Sequence, residues 1–94
     1  MRRKIVVITN NDSVVLEEQD RFVEGTLVEV LLLCRDLIHQ GHLLLTHPLM
    51  GSVKPNETPY KSVVLSKKRG PRVDLQSLSS IEASLRATKD LLAQ

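Results

Sequence analysis

Aromatic side chains are almost missing from this sequence: Phe22 and Tyr60 stand alone, and there is no tryptophan. Unpaired bases bind by stacking on such rings, so a nucleic-acid role is disfavoured from the start. A large charge of one sign is missing too. Thirteen basic against eleven acidic side chains leave a formal +2, too little to steer the chain strongly toward nucleic acid or anionic lipid. Cys34 is the only cysteine, which excludes an intramolecular disulfide and an all-thiolate metal site. Long apolar runs are absent as well. The longest, Leu27 to Cys34, contains Glu29 and falls far below the roughly 20 residues that span a bilayer. Met1-Arg2-Arg3-Lys4 resembles the start of a secretory leader, but Ile5 to Ile8 is shorter than the roughly 7 to 15 apolar residues such a leader needs. The expected compartment is the cytoplasm, with no membrane association.

What is present is aliphatic. The 94 residues suit one α/β domain spanning 1–94, with a thin core, since a chain of this length buries only about 60 to 65% of its unfolded surface. Ile5-Val6-Val7-Ile8, stopped by Thr9-Asn10-Asn11-Asp12, reads as a strand buried on both faces within a parallel sheet. Asp12 or Ser13 is placed to cap a short helix reaching about Asp20, and Arg21 to Gly25 reads as a short second strand. Thr26 and Glu29 have capping-box spacing ahead of an apolar run, which predicts a helix over Leu27 to His39. Gly41 suits the turn that ends it. Leu43 to Thr46 then reads as a strand parallel to the first, because a helical crossover separates them. Lys61 to Ser66 reads as an antiparallel return. Leu75, Leu78, Ile81, Leu85, Thr88 and Leu92 recur at helical spacing behind Asp74, a candidate cap. The expected fold is a small mixed, mostly parallel sheet of three to four strands with two to three helices.

Between these elements lies the long segment from His47 to Tyr60, with Pro48, Gly51, Pro55 and Pro59 among polar residues. Its two flanking strands and the end of the first strand should share one sheet edge, where open α/β sheets bind ligands. Thr9, Asn10, Asn11, His47, Ser52, Lys54, Asn56, Glu57 and Tyr60 would then face one crevice. Lys54 would supply charge to a phosphate or carboxylate, and Ser52 and Asn10 would donate hydrogen bonds. A purely structural loop, stiffened by proline and by Asn56, Glu57 and Thr58 turns, accounts for the same residues.

His39, His42 and His47 with Cys34 hold metal-ligand chemistry, but Gly41 reverses the chain between the first two histidines and the spacing matches no familiar zinc pattern. No metal and no cofactor is expected. Ser52, His47 and Glu57 are the residue types of a hydrolytic triad, yet no nucleophile-elbow sequence surrounds Ser52. Cys34 falls on the apolar side of its helix, as an inert buried thiol would. The basic runs Arg2-Arg3-Lys4 and Lys67 to Arg72 read as solvated strand ends. Val28 and Leu32 fall among Arg35, Asp36 and His39 on the expected solvent arc of the 27–39 helix, so the closing helix or a homodimer partner should cover them.

Arg35-Asp36-Leu37-Ile38-His39, Gly41-His42 and above all His47-Pro48-Leu49-Met50-Gly51-Ser52-Val53-Lys54-Pro55-Asn56-Glu57-Thr58-Pro59-Tyr60-Lys61-Ser62 resemble the GrdX family, and Ile8-Thr9-Asn10-Asn11 fits it too. Members are small proteins encoded beside the glycine, sarcosine and betaine reductase complexes of anaerobes that ferment amino acids. The resemblance implies a non-catalytic accessory or binding role, with reductase components as partners. It carries over no catalytic residue. The stretch from Asp12 to Gly25 is shorter than the family leads one to expect, which bears on the second strand. The competing reading is a small enzyme or sensor holding an anionic metabolite between the 9–12 and 47–60 loops.

Overall fold

The computed structural model describes residues 4–46 and 61–92. Strand β1 (Ile5–Thr9) is central, between β2 (Arg21–Phe22) and β3 (Ser62–Ser66). Helix α1 (Leu27–His39) packs on β1 and β3, and α2 (Leu75–Leu92) packs on α1. Alternation along the strands builds one apolar face: Val6 opposes Leu65 and Ile8 opposes Val63, and all four are buried. Val30, Leu31, Cys34, Leu37 and Ile38 of α1 close on them, with Ile81 and Leu85 from α2. Ile5 and Val7, on the other face, are only half-buried.

Both helix starts follow from local chemistry. The Thr26 hydroxyl accepts from Glu29 N–H and the Glu29 carboxylate accepts from Thr26 N–H, each at 3.3 Å, completing the expected capping box. Asp74 accepts from Ser77 N–H at 2.9 Å and so caps α2. Thr88 keeps its place in the apolar series and is buried, whereas Leu75 is 75% exposed. The side chain of Leu92 lies outside the described residues. Val28 and Leu32 are half-buried against the core, and Arg35 reaches Glu82 across the two helices at 3.1 Å.

The sheet is not mostly parallel. β1 pairs parallel with β2 but antiparallel with β3, because the latter joins the sheet without a helical crossover. Its strands number three among the described residues. The expected strand over Leu43 to Thr46 is reduced to an antiparallel bridge between Leu44 and Leu65. Leu45 N–H and Leu43 C=O do bond to β3, at 2.9 and 2.8 Å. Side chains take the neighbouring ladder positions: Ser66 Oγ accepts from Leu43 N–H, Thr46 Oγ1 accepts from Val64 N–H, and Ser77 Oγ accepts from Leu44 N–H. The segment still runs in the direction of β1, with β3 between them.

No helix forms over Asp12 to Asp20. Asn11 Oδ1 accepts from Ser13 N–H and its carbonyl accepts from Val14 N–H, a local turn that competes with helix nucleation. The second strand covers Arg21 and Phe22 rather than reaching Gly25, although Val23 N–H adds one bond to Thr9 C=O at 2.7 Å.

Candidate functional site

The C-terminal end of β1 is a junction of three chain segments. Thr9 is fully buried, and its hydroxyl lies 2.8 Å from Ser62 Oγ at the start of β3. The same oxygen accepts from Asn11 N–H. Asn10 is 6% exposed and commits both ends of its amide: Oδ1 accepts from Lys61 N–H at 2.8 Å, and Nδ2 donates to Gly25 C=O at 3.0 Å. Its backbone N–H also reaches Lys61 C=O. A planar amide with one donor and one acceptor side suits this position, since it meets a carbonyl on one flank and an N–H on the other.

These bonds fix both anchors of the intervening segment. Lys61 is tied to the end of β1, and Thr46 lies beside Val64, toward the start of β3. Thr46 and Lys61, the described residues that flank positions 47–60, are thus held against β3 and the end of β1, respectively. His47, Ser52, Lys54, Asn56, Glu57 and Tyr60 lie outside the described residues. Of the candidates, Asn10 and Asn11 are brought together with Thr9, and each uses side-chain polar atoms to hold backbone. Partial burial pulls the Lys61 ammonium below the ordinary lysine pKa.

Asp20 was not singled out by sequence reasoning, yet it organises the same strand. One carboxylate oxygen accepts from Val7 N–H at 2.8 Å and the other from Glu17 N–H at 2.9 Å. An acidic residue directly before a short strand is too weak a signal to have disclosed this.

The other groups with ligand or nucleophile chemistry are dispersed. Cys34 is buried in the core, and loss of water pushes its thiol up to about 12, which leaves it protonated and inert at neutral pH. His39 is exposed in the last turn of α1, whereas the His42 ring bonds through Nδ1 to Ser66 C=O at 2.6 Å. Among the described residues no helix is long and apolar enough to cross a membrane.

No curated protein and no solved structure matches the chain. A family match covers residues 6–94 under the description GrdX-like protein, including the β1 junction and both anchors of the 47–60 segment. The chain belongs to the GrdX-like protein family.

Proposed function

We propose that this protein is a non-catalytic accessory or binding protein of the glycine and betaine reductase systems of anaerobes, and that the 47–60 segment is its contact surface. The observation that carries the reading is the state of the β1 junction. Asn10 spends both amide ends on the backbone of Gly25 and Lys61, and Asn11 spends its side chain on a turn. Polar residues at this edge thus build a rigid mount for a long proline-containing segment, and long segments mounted on rigid elements commonly carry recognition. Family membership supplies the biological setting.

The test is co-purification of the tagged protein from its native host, with mass spectrometry of what accompanies it. Reductase components are expected with the wild type, and they should be lost when residues 48–59 are replaced by a glycine and serine linker. Lys54→Ala should weaken capture by roughly tenfold while leaving the melting temperature unchanged, as the loss of one charge-assisted contact would. Recovery of reductase components at the level of an untagged control would overturn the reading.

A further inference from the structure

A concave site lies over Val6 and Ile8 of β1, beside Arg21 of β2, and reaches Lys67 and Arg69 just past the end of β3. Its volume is about 290 Å³, and its floor is apolar, formed by Val6, Ile8 and Leu37. Arg21, His42, Lys67 and Arg69 stand around it, and Gln19 and Gln40 add amide donors. No acidic side chain lines it among the described residues, and no carboxylate there pairs with Arg21, Lys67 or Arg69. Three cations around an apolar floor, with no counter-charge among the described residues, are an unbalanced arrangement for a structural patch.

Backbone bonds fix the positions from which these side chains extend. Arg21 is paired with Ile8 at the start of β2. Lys67 N–H donates to Lys4 C=O at 2.9 Å. Arg69 precedes Gly70, whose N–H donates to Gly41 C=O at 2.8 Å. His42 is fixed through its N–H to Leu37 C=O at 3.1 Å and through its ring to Ser66 C=O. The C-terminal end of α1 also faces this region and would repel an anion, by the equivalent of roughly half a charge. Three full positive charges outweigh it, and the N–H groups of Gln40, Gly41 and His42 already engage its last carbonyls.

We infer that this cleft binds a small phosphate monoester, its phosphate held by Arg21, Lys67 and Arg69 and its short apolar stem lying over Val6, Ile8 and Leu37. Guanidinium forks match phosphate oxygens geometrically, and three cations fit a dianion better than a monocarboxylate. The volume sits at the lower end of ligand pockets, which sets the size. The inference uses no residue of the 47–60 segment, only the described lining of this cleft.

The experiment is a ¹H–¹⁵N NMR titration of the full chain with propyl phosphate, inorganic phosphate and butyrate, each against potassium chloride of equal ionic strength. Propyl phosphate should give saturable shifts confined to residues around Arg21, His42 and Arg69, with inorganic phosphate weaker and butyrate weaker still. Arg21→Gln and Arg69→Ala should each weaken binding by roughly tenfold while retaining the wild-type spectrum elsewhere. Shifts spread over all basic residues, or equal responses in wild type and both variants, would overturn the site. Butyrate binding more tightly than propyl phosphate would overturn the phosphate assignment.

Discussion

Gly70 N–H donates to the Gly41 carbonyl at 2.8 Å, so the turn that ends α1 and the turn that follows β3 meet backbone to backbone. Gly41 has φ +108°, and a Cβ built there would lie 2.5 Å from the Gly70 carbonyl oxygen. Gly41→Ala combines that clash with a conformation L-residues avoid, and it should destabilise the protein by roughly 1 to 3 kcal/mol. A Cβ on Gly70 would meet Gly41 O at an ordinary 3.6 Å, so Gly70→Ala should be far milder. Urea melts of the two variants separate these cases, and equal losses would show that the close approach is not what requires Gly41.

Asn10 makes a similar connection at the opposite end of β1. Asn10→Asp replaces the donor to Gly25 C=O by an oxygen, leaving two acceptors face to face in a buried position. The expected cost is roughly 1 to 3 kcal/mol, the penalty for an unsatisfied buried polar group. Thermal unfolding measures it. A variant as stable as the wild type would mean that Gly25 C=O finds another donor without strain.

How much of this was legible in the sequence depended on how far apart the interacting residues lie. Thr26 with Glu29, and Asp74 at the start of α2, act over a single helical turn, so spacing alone disclosed them. Leu43 to Thr46 looked like a strand because its composition is a strand's. Its ladder is interrupted by Ser66, Thr46 and Ser77 hydroxyls, and two of those come from distant segments. Thr9, Asn10 and Asn11 lie together at the end of β1, but residue type could not tell a ligand contact from a backbone tie to Lys61. Lys67 and Arg69 read as part of a solvated strand end, and Arg21 only as the start of a short second strand. Only parallel pairing of β2 and the Gly41 to Gly70 contact bring them around one cleft.

The cap of α2 predicts an acid dependence. Hydrogen bonds from the Ser77 hydroxyl, and next from its backbone N–H, hold the Asp74 carboxyl below its ordinary value of 3.8. A depressed folded pKa means that the ionised cap stabilises the helix fully above 3.8, and that this stabilisation fades as pH falls from there through the folded value. Asp74→Asn keeps a side-chain acceptor but cannot titrate. Its helicity, followed by circular dichroism from pH 6 to 2, should start lower than that of the wild type and converge with it at the acid end. Parallel curves across the whole range would remove Asp74 from the acid response.

The most consequential side chain outside any expected site is Asp20. In the parallel register Ile8 pairs with Arg21 and Thr9 with Phe22, so the next position would set Val7 beside Asp20. The backbone does not continue the ladder there. Instead Asp20 Oδ1 accepts from Val7 N–H at 2.8 Å while Oδ2 accepts from Glu17 N–H at 2.9 Å, with the residue only 9% exposed. Two N–H donors converge on two carboxylate oxygens, and an amide cannot satisfy both, because its NH₂ would face one of them. Asp20→Asn should therefore cost roughly 1 to 3 kcal/mol, and the loss should be local to the β1 edge. Hydrogen exchange resolves this: the Val7 amide should exchange faster in the variant, while the β1 to β3 ladder, at Ile8 and Val63, keeps its protection relative to the lowered global stability. Unchanged protection at Val7 would show that the carboxylate is dispensable to the strand and that β2 holds its place by backbone pairing alone.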